Sequence, residues 1–261
     1  MPDQRSINAS TPKRAQRRHN SPSHPTVDGG ISSDLDENFL QNLEAAALSA
    51  DRAECRRVVQ EACASGFSAA TIVDHYLPEV SRRLGEQWCA DSLGFANVTI
   101  AVSRLQSILR ELGLDWSGDI VGNPQAPTVI VIVPQDAYHT LGAMILGSQL
   151  RRAGVSVRIS LGERLEELAL RLQRTKFEAV FISSSSSETL ETLARIVDVV
   201  RTSTTNRPPI VIGGSVLDVE QDENIAALTG ADYATKIPSE ALELCGLSKI
   251  HHSEPPETRG S

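Results

Sequence analysis

The stretch Thr128-Val129-Ile130-Val131-Ile132-Val133 decides the fold. A run of valine and isoleucine unbroken by polar residues suits a strand covered on both faces, the situation of a parallel sheet with helices on either side. A helical pattern follows from about Thr140 to Ala153, and the alternation then repeats. Strands are expected near Val155 to Ser160 and Glu178 to Ser183, with helices near Glu163 to Arg174 and Glu188 to Arg201. A strand at Ile210 to Ile212, a short helix near Asp222 to Leu228, a strand near Tyr233 to Ile237 and a last helix from Ser239 complete the series. The pattern predicts an α/β chain with an open flavodoxin-like, Rossmann-type parallel sheet over residues 128–247.

Working back from that strand, residues 116–127 carry Gly118, Gly122, Pro124 and Pro127 and read as a linker. Ahead of it, residues 34–115 change to a helical period in four segments, predicting a four-helix bundle. The first segment opens with Ser33 and Asp36 at capping-box spacing and carries Leu35, Phe39 and Leu43 on one face. The second, about Asp51 to Ala64, turns Cys55, Val58, Val59, Ala62 and Cys63 inward. Ser68 is placed to cap a third, whose stripe is Val73, Leu77, Val80, Leu84 and Trp88, with Pro78 expected to kink it. The fourth carries Val98, Val102, Leu105, Leu109 and Leu112 and stops at Gly113.

A chain of 261 residues and 28.2 kDa has room for two such domains. No apolar run reaches the roughly 18 residues of a membrane span, and the N-terminus lacks a signal peptide's apolar stretch, which predicts a cytoplasmic protein without membrane contact. Cys55, Cys63, Cys89 and Cys245 show no C-x-x-C pairing, so neither a zinc site nor a disulfide framework is expected, only buried thiols. The net charge of −8 sets the body against nucleic acid on average. Residues 1–33 are the exception, with Arg5, Lys13, Arg14, Arg17 and Arg18 against Asp3 and Asp28. This arm and the tail 248–261 are too poor in large apolar groups to order themselves. The arm could contact DNA phosphates or act as a plain solubilising tail.

In an open parallel sheet the ligand sits outside the carboxyl ends of the strands, where the strand order reverses. Three loops there are chemically unusual. The first is Pro134-Gln135-Asp136-Ala137-Tyr138-His139-Thr140-Leu141-Gly142, which sets an imidazole at a helix start. The helix dipole favours its neutral, metal-ligating form there, and Gly142 removes bulk where a flat ligand would approach the backbone. The second is the serine run Ser183 to Ser187, and the third is Gly213-Gly214-Ser215. Each also has a plain reading: a surface histidine, a flexible turn with a helix cap, a tight glycine turn. Their joint placement on strand ends favours a binding site. No Ser-His-Asp or Cys-His constellation and no Walker loop accompanies them, so an independent catalyst is not expected.

The C-terminal half resembles the cobalamin-binding domain family, whose D-x-H-x-x-G loop supplies a histidine to the lower face of cobalt. His139-Thr140-Leu141-Gly142 matches the H-x-x-G part, whereas Asp136 lies three residues before the histidine and Ala137 takes the usual acidic position. That departure weakens the carboxylate–histidine–metal relay. The resemblance implies His139 as axial ligand to cobalt, with Asp136, Tyr138, Thr140, Leu141 and Gly142 around it. It implies Ser183, Ser184 and Ser185 beside the dimethylbenzimidazole tail and Gly213 and Gly214 in the third loop. Gly230-Ala231-Asp232 matches the stretch entering the last strand.

The N-terminal half resembles the bundle that precedes this domain in methyltransferase corrinoid proteins and light-sensing cobalamin regulators, including Leu84-Gly85-Glu86-Gln87-Trp88. In the photoreceptors a W-x9-E-H motif covers the upper face. Trp88 fits, while Val98 and Thr99 replace the Glu-His pair, so Trp88 is either a cap over the cofactor or ordinary core. The bundle, the altered loop, Arg151-Arg152, the basic arm and the lack of a helix-turn-helix together resemble the AerR and PpaA antirepressors of purple bacteria. That resemblance implies a non-enzymatic sensor that binds cobalamin in its hydroxo- or adenosyl-form and responds to light or redox state. It would relieve repression of photosynthesis genes by contacting a CrtJ- or PpsR-type repressor. The alternatives are a corrinoid carrier of a methyltransferase system, a heme-binding sensor of the same fold, since neutral imidazole suits iron and cobalt alike, and an interaction module without a ligand.

Overall fold

The computed structural model describes residues 35–113, 126–135, 140–219 and 222–247. Ser33, the arm 1–33, most of the linker, Asp136, Ala137, Tyr138, His139 and the tail 248–261 lie outside the described residues.

Five parallel strands, β1 (Thr128–Val133), β2 (Ser156–Leu161), β3 (Ala179–Ser183), β4 (Ile210–Gly213) and β5 (Tyr233–Ala234), form one sheet in the order β2-β1-β3-β4-β5. The alternation of side chains along a strand, with both faces covered, explains why β1 is apolar from Val129 to Val133. Val129, Val131 and Val133 pack on one face with α6 (Leu141–Arg152) and α10 (Pro238–Leu244). Ile130 and Ile132 pack on the other with α7 (Leu165–Arg174) and α8 (Leu190–Ser203), where α9 (Asp222–Thr229) also lies. Each fully buried side chain of this kind contributes about 2 kcal/mol relative to exposure. The order reverses about β1: α6 leads from it to the edge strand β2, and the chain then crosses to β3 on its other side.

The bundle comprises α1 (Glu37–Leu48), α2 (Glu54–Ala64), a third segment and α5 (Phe95–Leu112). The cap of α1 is Asp36, whose carboxylate accepts from Phe39 N at 3.0 Å, in place of the expected capping box begun at Ser33. The third segment starts at Ser68, which caps α3 (Ala69–Thr71) as expected. It then widens into a π-turn over Ile72–Tyr76 before α4 (Leu77–Cys89). The irregularity expected at Pro78 thus takes the form of a π-turn one turn ahead of it. A proline at 78 cannot donate to the carbonyl of Asp74 and its ring crowds that carbonyl, and the wider turn relieves both.

The bundle core runs from Leu40, Leu43, Leu77, Leu84, Leu105 and Leu109 directly onto Leu141, Met144 and Ile145 of α6. Bundle and sheet therefore share α6 and form one compact unit. Two polar contacts add to this: Arg152 pairs with Asp74 of the π-turn, and Gln106 Nε2 donates to Thr140 Oγ1 at 2.8 Å.

Some expectations are corrected. Cys63 and Cys89 are exposed rather than buried, because each lies off the apolar stripe of its helix, while Cys55 is buried. Helix α8 begins at Leu190 behind Thr189, whose hydroxyl accepts from Thr192 N, and Glu188 lies outside it. Strand β5 stops at Ala234 instead of reaching Ile237. Thr235 turns the chain, its hydroxyl accepting from Ile237 N at 3.1 Å and donating to Glu240 at 2.5 Å, and Pro238 then opens α10.

Candidate functional site

A cleft of about 800 Å³ opens over the carboxyl edge of the sheet on the α6 and α10 side. It brings together Trp88 and Gly85 from α4, Leu141 and Gly142 from α6, Ser183, Ser184 and Ser185 from the end of β3, and Gly213 and Gly214 from the end of β4. Eight residues singled out in the sequence thus share one surface: Trp88, Leu141, Gly142, Ser183, Ser184, Ser185, Gly213 and Gly214. Thr140 precedes α6 and its hydroxyl is engaged by Gln106.

Trp88 is 42 % exposed and stands at the cleft with Phe95 beside it, ring centroids 6.2 Å apart. It is therefore not bundle core, even though its helical spacing continues the stripe of Val80 and Leu84. Stripe spacing alone could not separate the two readings, because the bundle core ends one turn before Trp88 and the cleft begins.

The glycines serve different ends. A Cβ on Gly85 or Gly142 would meet nothing within 4 Å, so both leave free space on the cleft wall. A Cβ on Gly213 would stand 2.9 Å from Thr235 O, and one on Gly214 only 2.1 Å from Ser184 O. Gly214 also has φ of 105°, a backbone state that other residues rarely adopt. These two glycines let the β3 and β4 loops touch backbone to backbone, with Ser184 N donating to Gly213 O at 2.9 Å.

The serine run is an ordered loop. Ser186 N donates to Ser215 Oγ at 3.1 Å, and the Glu188 carboxylate accepts from Ser185 N, from Ser185 Oγ at 2.7 Å and from Ser184 Oγ at 3.3 Å. Sequence reasoning assigned Glu188 to a helix and missed this role. Gly85, Thr235 and Ile237 were missed as well, and only the glycine in Leu84-Gly85-Glu86-Gln87-Trp88 gave a signal.

Charge at the cleft is paired. Lys236 meets Asp218, Asp74 meets Arg152, and Arg82 is gripped by Glu79 and Glu86. The Arg82 guanidinium in turn holds the Glu79 carboxyl below its ordinary value. What remains toward the ligand is mostly apolar wall, hydroxyl and backbone, suited to a large, flat, amide-bearing molecule. No group of three metal-ligating side chains occurs among the described residues.

Such a helical cap over a doubly wound sheet, with a cleft built to pass a flat ligand over glycine, defines a cofactor-binding protein of the flavodoxin-like class. Two family models, both described as B12 binding domain, match residues 127–244 and 40–112. The chain is 42 % identical over 161 residues to an uncharacterized 20.5 kDa protein in the bchF-crtJ intergenic region of Rhodobacter capsulatus, covering 62 % of this chain and 83 % of that protein. Among solved structures it is similar to the monomethylamine corrinoid protein of Methanosarcina barkeri, with a TM-score of 0.60 at 17 % identity over 82 % of this chain and 99 % of that one. A cobalamin-binding protein from Desulfitobacterium hafniense matches with a TM-score of 0.41 at 17 % identity, over 80 % of this chain and 97 % of that one. The chain belongs to the B12-binding-domain proteins.

Proposed function

We propose that this chain is a cobalamin-binding, light- or redox-responsive antirepressor acting in the cytoplasm on photosynthesis genes through a CrtJ/PpsR-type repressor. The observation that carries the cofactor is the cleft. Its wall is hollowed at Gly85 and Gly142, and it continues past the serine loop and Gly213 toward α10, giving room for a macrocycle and a trailing nucleotide. In this reading Trp88, which lines the cleft, would cover the upper face, and His139, just before α6 in the sequence, would serve the lower. When bound, the corrinoid would supply a cobalt whose upper ligand can be exchanged by light or redox chemistry. The protein's part is to hold that cofactor between bundle and sheet, whose common element α6 makes each sensitive to the other.

Cobalamin suits the cleft better than heme. Heme brings two carboxylates, whereas Lys236 and Arg82 already have acidic partners. Ala137, in place of the acidic residue of the histidine relay, favours a sensor over a methyl carrier cycling between cobalt oxidation states. The relative's position beside crtJ supports a repressor of that type as partner. The basic arm at residues 1–33 is the place for an added DNA contact.

The test is the absorption spectrum after incubation with hydroxocobalamin, adenosylcobalamin or heme, in dark and light, followed by desalting. Corrinoid bands retained by the wild type and shifted or lost in His139→Ala support the proposal. Retention of heme alone, or of neither, refutes it. Co-purification with a CrtJ/PpsR-type repressor, changed by the loaded cofactor, tests the partner.

A further inference from the structure

We propose that Glu188 is a positioning residue that presets the serine loop for the nucleotide tail of the corrinoid, and so makes the site selective for tail-bearing corrinoids; this rests on the function proposed above. Glu188 does not line the cleft. It borders a separate cavity of about 330 Å³ on the opposite side of the loop, with Glu163 and Arg195. From there its carboxylate reaches under the loop to the donors Ser185 N, Ser185 Oγ and Ser184 Oγ.

A carboxylate only accepts, so it dictates where hydroxyl protons go. The Ser185 proton is committed to Glu188, and the Ser185 oxygen accepts from Ser187 Oγ at 2.7 Å and from Ser187 N at 3.4 Å. Ser185 is thereby saturated within the loop. Ser184, only 4 % exposed, divides its proton between Glu188 and Ser185 O, leaving its lone pairs free. Ser183, the last residue of β3, is paired through its backbone with β4, and its hydroxyl has no hydrogen-bond partner among the described residues, so it keeps a proton to donate. The floor of the cleft thus offers a free hydroxyl at Ser183 next to an acceptor at Ser184, and the acceptor is set by a residue that does not line the cleft. Ser184 N on Gly213 O and Ser186 N on Ser215 Oγ pass that order to the glycine loop.

The tail is the part of cobalamin absent from cobinamide, which has the same macrocycle. Titrations of the full chain with hydroxocobalamin and with cobinamide, for wild type, Glu188→Ala and Glu188→Gln, isolate it. The wild type should prefer cobalamin. Glu188→Ala should weaken cobalamin by about tenfold or more, the scale of losing a hydrogen bond to a charged group, with cobinamide changed less than about twofold. Glu188→Gln, which keeps an acceptor oxygen and the side-chain shape, should fall between. Hydrogen exchange at Ser184 to Ser187 in the ligand-free protein should rise in the order wild type, Gln, Ala. An equal loss for both ligands, or an undiminished preference despite faster exchange, overturns the role of Glu188 and leaves the cobalamin reading standing. A wild type that binds neither ligand overturns both.

Discussion

Replacing Gly214 by alanine should cost the protein several kcal/mol. The residue has φ of 105° and ψ of −170°, a region open to glycine almost alone, and holding alanine there costs about 1–3 kcal/mol. The added Cβ would also stand 2.1 Å from Ser184 O. An ordinary carbon–oxygen contact is on the order of 3.2 Å, so the loops must part by about 1 Å. That parting breaks Ser184 N on Gly213 O and Ser186 N on Ser215 Oγ, at about 1 kcal/mol each. The sum is about 3–5 kcal/mol, which lowers the melting temperature by at least about 6 °C for a unit of this size. Urea unfolding followed by circular dichroism, with the thermal midpoint beside it, reads the change. A loss under about 1 kcal/mol would mean that the two loops yield easily and that their backbone contact contributes little.

Gly142→Ala should behave in the opposite way: its Cβ meets nothing, so stability holds or rises by up to about 1 kcal/mol while cobalamin retention falls, checked by melting and desalting. Alkylation of the native protein followed by mass spectrometry should label the exposed Cys63 and Cys89 well before Cys55, whose thiol burial pushes up to about 11. Because Cys89 lines the cleft, bound cofactor should slow its labelling and leave Cys63 unchanged. The Arg171 guanidinium, aided by Ser160, holds the Glu163 carboxyl below its ordinary 4.5. A depressed carboxyl stabilises the fold above its unfolded value and loses that contribution as pH falls through its folded one. Unfolding of Glu163→Gln against wild type should therefore differ above about pH 4.5 and converge in stronger acid.

What could be read from the sequence followed from how far each signal is local. β1 is bounded as its β-branched run predicts, since the five apolar residues after Thr128 are all buried. β5 was overestimated because its end depends on Thr235 reaching Ile237 N and Glu240, contacts no alternation encodes. The helix cap at Asp36 was misplaced because Ser33 and Asp36 carry equally good capping side chains. In the cleft, the serine and glycine loops were legible from position at strand ends, whereas Glu188 was not: a glutamate before a helix is unremarkable until the chain turns back under the loop. Trp88 fell between, with a spacing that fits core and a location that does not.

Because α6 is counted in two cores at once, the protein cannot be divided where its linker suggests. Cutting after residue 115 would leave the α/β half with Leu141, Met144 and Ile145 bare along one helix and the bundle with an open seam. Each piece would seek a greasy substitute, in another copy of itself or in aggregates. Moving α6 to the bundle piece would not help, because the sheet would then lose the helix that covers β1 and β2. Twelve residues thus serve as an inner wall for both halves.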